Sequence, residues 1–118
     1  MTLGKNIITI IHTPGHYADS ICIWIKNSNY LFTGDTIFVG RTGRTISISS
    51  NIFDLYESVY SKLLQLPKET IVYPGHHYGP SKTITIKENI KLSKFFQCKG
   101  IEEFLKIMSE FEKNINQL

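Results

Sequence analysis

Three times in this chain a short strand-forming run stops at a glycine turn, and a side chain able to hold a metal follows at once. Residues 6–11 (NIITII) end in HTPGH, which delivers His16. Residues 30–33 (YLFT) end in Gly-Asp, which delivers Asp35, and residues 70–73 (TIVY) end in Pro-Gly-His, which delivers His76. β-Branched and aromatic residues favour extended backbone, whereas proline and glycine end it and turn the chain. Imidazole nitrogen and carboxylate oxygen are the usual ligands of zinc and non-haem iron, and rigid strand ends suit such sites because the ligands need fixed geometry. Taken singly each position is weak, since an aspartate after glycine often makes an Asx-turn and a histidine after Pro-Gly can satisfy a loop carbonyl.

The remainder reads as scaffold for those three positions. Ile21–Ile25 (ICIWI) is continuously apolar, the pattern of a strand covered on both faces, and the turn at residues 26–29 returns it as a hairpin. Residues 38–50 hold two glycines, two arginines and small polar residues, and so read as a loop. Asn51 caps a helix whose apolar stripe is Ile52, Leu55, Val59, Leu63 and Leu66, stopped by Pro67. Thr85 and Glu88 have the spacing of a capping box ahead of a helix over Ile86–Leu92. After Gly100, the residues Ile101, Phe104, Leu105, Met108 and Phe111 mark a last amphipathic helix.

A length of 118 residues allows one domain, and 42% hydrophobic with 19% charged residues is ordinary for a globular one. The net charge of +3 is modest, and its lysines between residues 82 and 99 come without aromatic stacking partners, so no nucleic-acid partner is expected. Cys22 and Cys98 form no CxxC pair. No stretch reaches the roughly 20 apolar residues of a membrane span, and the amino terminus does not read as a signal peptide. No membrane partner is expected, and the setting expected is cytoplasmic.

Taken in order, HTPGH, TGDTIF, GRTGRT and VYPGHHYGP resemble the second half of the metallo-β-lactamase superfamily, in its hydroxyacylglutathione hydrolase (glyoxalase II)-like branch. The resemblance runs from about Leu3 to Leu92. It implies an α/β fold, half of an αββα sandwich, with one mixed sheet flanked by helices. His16 then corresponds to a terminal ligand of one metal, His76 to a terminal ligand of the second, and Asp35 to the catalytic carboxylate that bridges them. Zinc is the implied cofactor, two ions in the complete site, with iron as the alternative. Two cations sharing a carboxylate would bring the pKa of a bound water toward neutrality, and the resulting hydroxide can attack a thioester carbonyl. The implied substrate is a small anionic thioester, a glutathione conjugate among the candidates. Arg44 and Tyr78 fall at glutathione-contacting positions, and Arg41 and Arg44 would hold an anion by charge-assisted hydrogen bonds. His12 reads as structural, and His77 is not assigned as a ligand.

The chain also departs from the family pattern. Ile46 stands where an aspartate commonly follows GRT, and where glyoxalase II carries an aromatic glutathione contact. The superfamily site also draws on an HxHxDH motif from the amino-terminal half, and this sequence contains no HxH. Residues 1–118 are therefore expected to form a partial metallo-β-lactamase-like domain in which each metal lacks two protein ligands. Such a half would leave one sheet face uncovered, so it is expected to need the amino-terminal half or self-association. Two other readings stay open: a persulfide dioxygenase-like site with a single iron, and a truncated, non-catalytic module.

Overall fold

The computed structural model describes residues 2–116. Six strands form one sheet in the order of the sequence: β1 (Thr2–Leu3), β2 (Asn6–His12), β3 (Ile21–Ile25), β4 (Tyr30–Gly34), β5 (Ile71–Pro74) and β6 (Ile84–Thr85). All neighbours are antiparallel except β4 and β5, which are parallel. The sheet is therefore mixed, as the sequence implied. Its helices are α1 (Ile52–Glu57), α2 (Ile86–Leu92) and α3 (Ile101–Asn116).

Strand direction positions the site. Two antiparallel steps separate β2 from β4, and β5 is parallel to β4, so β2, β4 and β5 all point the same way. Their carboxyl ends share one edge, and the turns bearing His16, Asp35 and His76 leave from that edge.

The helices form for local reasons. The Asn51 side chain accepts a hydrogen bond from the Asp54 amide at 3.0 Å, satisfying a donor in the first turn of α1. Beyond α1 the helix widens to a π-type turn over Ser58–Lys62 and tightens to a 3₁₀ turn over Leu63–Gln65. Leu55, Val59 and Leu63 remain on its buried side. Thr85 caps α2 through its hydroxyl, which accepts from the Glu88 amide at 3.1 Å, and the Glu88 carboxylate accepts from that hydroxyl.

One face of the sheet carries the core. Cys22, Leu31, Thr33 and Val72 are fully buried there against Leu55, Val59, Phe104 and Met108 of the helices. The other face is open. The pairing register sets Ile10, Ile23, Phe32 and Tyr73 in one row across four strands, and Ile8, Ile25, Tyr30 and Ile71 in the next. Ile10 is 53% exposed, Ile21 46% and Phe32 41%. The continuously apolar Ile21–Ile25 thus stands beside an uncovered sheet face, as expected of half of the sandwich. The strand is apolar on both sides, yet only the Cys22 and Trp24 side packs against helices. An apolar surface of this extent on a sheet marks a place where something else packs.

Candidate metal centre

The turn bearing His16 is fastened to the start of α1. The carbonyl of Pro14 accepts from Ser58 Oγ at 2.7 Å, that of Gly15 from the Asn51 amide at 2.7 Å, and that of His16 from Ser50 Oγ at 2.6 Å. Gly15 has φ +142°, and a Cβ there would stand 2.3 Å from Leu55 Cα. Only glycine lets the turn lie this close to the helix.

His16 is then oriented from behind. Its Nδ1 lies 2.7 Å from the carbonyl oxygen of Arg44. A carbonyl can only accept, so Nδ1 carries the proton and the Nε2 lone pair faces Asp35, whose Oδ2 is 3.9 Å away. The loop reaches this position because residue 43 is glycine: a Cβ there would collide with the Asp35 carbonyl at 2.0 Å and press on the His16 ring at 3.1 Å. Asp35 leaves the end of β4, and its other oxygen, Oδ1, is 2.7 Å from His76 Nδ1. The three predicted ligands are thus brought together around one carboxylate.

They do not close around a point. Among the described residues, no group of three or more His, Cys, Asp or Glu side chains is arranged to hold a metal ion. His76 Nδ1 is instead paired with Asp35 Oδ1 by a hydrogen bond. By donor chemistry the set still fits an ion of the zinc or iron class, two imidazoles and one carboxylate. The hold on His16 Nδ1 is also the contact that a ligating histidine needs on its other nitrogen. In number it fits only partly, since such sites normally take three or four protein ligands per ion.

Around this group, His16, Asp35, Phe38, Arg41, Gly43, Arg44 and Tyr78 line a cavity of about 40 Å³. Tyr78 stacks on His76 with ring centroids 5.2 Å apart and 12° between planes. Arg41 differs from expectation. Its guanidinium carbon sits 4.7 Å from the Phe38 and Tyr78 ring centroids and 5.1 Å from that of Phe111, and Nη1 donates to the Thr42 carbonyl at 2.9 Å. Burial, then the nearby charge of Arg44, push its pKa down from the usual value. A cation so placed is held by the π-faces of the rings as well as by the one hydrogen bond to Thr42. The Arg44 side chain faces the cavity without these partners. His12 caps the Ala18 carbonyl through Nε2 at 2.9 Å, a structural contact, and His77 is exposed.

Several functional contacts escaped the sequence reading. Ser58 holds the His16 turn, and Asn89 of α2 donates to the Phe38 carbonyl at 2.9 Å while accepting from the Gly40 amide at 2.8 Å. Under the site, the Thr13 and Thr36 hydroxyls meet at 3.2 Å in full burial. Ser58 and Asn89 carry a faint signal, a polar residue three positions after a core residue on a helix.

The sequence profile of the metallo-beta-lactamase superfamily matches residues 2–76, well over half of the chain. The chain belongs to that superfamily, whose members bind zinc or iron. Among its relatives is a probable hydroxyacylglutathione hydrolase of Schizosaccharomyces pombe, 34% identical over 104 residues, which cover 86% of this chain and 37% of that protein. The human mitochondrial persulfide dioxygenase ETHE1 is 31% identical over 105 residues, covering 89% of this chain and 41% of the relative. The crystal structure of ETHE1 from Myxococcus xanthus superposes with a TM-score of 0.83 at 35% identity, covering 94% of this chain and 48% of that one. The chain spans between 37% and 44% of the length of the first curated relatives it matches. Among the described residues, no helix is long and apolar enough to cross a membrane.

Proposed function

We propose that this chain supplies one half of the active site of a metal-dependent hydrolase of the glyoxalase II-like group, cleaving a thioester or related ester of a small anionic compound. The observation that carries the reading is one carboxylate flanked on its two oxygens by His16 and His76, with the far nitrogen of His16 held by a backbone carbonyl. His16 and Asp35 would hold one ion, and Asp35 and His76 the other. Zinc is the ion proposed. When bound, the metal supplies Lewis acidity, which makes a bound water acidic near neutral pH and polarises the scissile carbonyl.

The chain's own residues do the rest. His16 presents its lone pair in a fixed direction because its proton is committed to the Arg44 carbonyl. His76, now hydrogen-bonded to Asp35, would present a ring nitrogen to the second ion. Arg44 offers its guanidinium to the substrate anion, and Tyr78 offers an exposed hydroxyl beside it. Arg41 contributes positive charge behind the cavity. The open face of the sheet is to be covered by an amino-terminal half carrying the HxHxDH motif, or by a second copy of the chain. A purified 118-residue chain that sediments as a stable, metal-loaded monomer would count against that need.

The likeness to two ETHE1 chains favours a second reading, a persulfide dioxygenase-like site with one iron held in part by His16 and Asp35. Metal analysis with two assays on the complete protein decides between them. Two metals per site with cleavage of a glutathione thioester supports the hydrolase. One iron with oxygen consumption on glutathione persulfide, and an untouched thioester, overturns it.

A further inference from the structure

The far end of the chain reaches back to the site. The family profile ends at residue 76, yet three residues on one side of α3 hold the loop at residues 41–45. Met108 Sδ lies 3.3 Å from the Thr42 hydroxyl oxygen, and the Phe111 ring lies 5.1 Å from the Arg41 guanidinium carbon. Glu112 grips Thr45 twice: Oε2 accepts from the backbone amide at 3.1 Å and Oε1 from the hydroxyl at 2.9 Å.

The amide of Thr45 and the carbonyl of Arg44 belong to the same peptide unit. That unit is planar and stiff, so an anchor on its N–H fixes the direction of its C=O. The C=O is the group that takes the His16 Nδ1 proton at 2.7 Å. A carboxylate, one peptide plane and one imidazole thus form a continuous chain ending at the Nε2 that faces Asp35. A charge at one end of such a chain also polarises the bonds beyond it, making the carbonyl a better acceptor.

We propose that Glu112 is a positioning residue for His16, setting the tautomer and direction of its ring through the Arg44–Thr45 peptide. This rests on the reading of His16 as a metal ligand, but its first readout does not. Nitrogen shifts of the histidine rings, measured by two-bond ¹H–¹⁵N correlation on the metal-free full chain, report the tautomer directly. The wild-type His16 ring is expected to be the Nδ1–H form, and Glu112→Ala to give mixed tautomers. Zinc affinity, titrated on the same proteins, is expected to fall about tenfold, the usual scale for loss of a contact behind a ligand. Glu112→Gln, which keeps an acceptor without the charge, is expected to fall between.

Ile107→Ala on the same helix removes none of the hydrogen bonds in this chain of groups and separates positioning from general loosening of α3. Equal changes in Ile107→Ala and Glu112→Ala overturn the proposal. So do wild-type His16 shifts in a folded Glu112→Ala protein. If Glu112→Ala does not fold, Thr45→Val removes only the hydroxyl bond and is expected to move the same shifts less far, and unmoved shifts there also overturn it. Displaced His16 shifts in Glu112→Ala support the positioning role whether or not zinc binds, whereas a complete protein, with its amino-terminal half, that binds no zinc sinks the metal reading instead.

Discussion

The two histidine turns start from similar sequence, Pro-Gly-His in each, and end in different mechanical states. The His16 turn has three successive carbonyls tied to the start of α1 and beyond, and its side chain is 17% exposed. The His76 turn is held by one backbone bond, from the Gly75 amide to the Gly34 carbonyl at 2.8 Å, and its side chain is 53% exposed. His16 has a backbone carbonyl behind it, whereas His76 rests on Asp35 and on an exposed tyrosine. Of the two proposed ligands, one is thus preorganised by the core and the other is set by its neighbours in the site. Preorganised ligands lose less freedom on binding, so the two should contribute unequally.

The largest expected effect breaks the rigid turn. Gly15→Ala places a Cβ onto the Leu55 backbone at a φ that L-residues avoid, and should destabilise the chain by about 3 kcal/mol or more. Gly75→Ala meets the Gly34 carbonyl group at 3.1 Å and has no such φ, so about 1 kcal/mol is expected. Urea unfolding of both variants measures the gap. Equal losses would mean that the two turns are equally constrained.

Next come the ligands themselves. His16→Ala should lower zinc affinity by about a hundredfold, the upper end of what even outer contacts contribute, and His76→Ala by clearly less. Asp35→Asn should affect binding at least as much as His16→Ala, because the carboxylate faces both rings. Calorimetric titration gives the order, and a greater loss from His76→Ala would invert the comparison.

How far all this could be read in the sequence follows from which forces are local. The bounds of β3 and α2 were legible because an apolar run and a capping box act within a few residues. The three proposed ligands were each legible only as strand-end residues, weak singly, and it was the order of the motifs that assigned them. What joins them is the direction of β2, β4 and β5, a property of pairing between distant segments. The contact of Ser58 with Pro14 spans 44 positions and that of Glu112 with Thr45 spans 67. Ser58 interrupts an apolar stripe and so leaves a trace, whereas Glu112 looks like any surface residue of an amphipathic helix. The pattern of ICIWI records that both faces of the strand are apolar, and only the missing HxHxDH half said that one of them would stand uncovered.

Ser58→Ala tests that trace at moderate size. Losing the hydroxyl leaves the Pro14 carbonyl without its donor beside a buried helix face, and about 1 kcal/mol of stability should go with it. Chemical denaturation reads the loss, and zinc affinity should fall with it if the turn orients His16. Unchanged affinity at reduced stability would place the orientation wholly in the Arg44 carbonyl.

The smallest effect sharpens the other half. Tyr78 is the neighbour that limits rotation of the His76 ring, by stacking at 5.2 Å, and Arg41 holds Tyr78 in turn at 4.7 Å from its ring. Stacking of this kind is worth on the order of 0.5–1.5 kcal/mol. Tyr78→Leu keeps apolar bulk and removes the stacked plane, so zinc affinity should fall by about three- to tenfold with stability nearly unchanged. The same replacement should leave the nitrogen shifts of His16 where they are, because that ring is held from the opposite side by the Arg44 carbonyl. If Tyr78→Leu moved both histidines together, the two turns would be one coupled unit, and the distinction between a preset ligand and one set by its neighbours would fail.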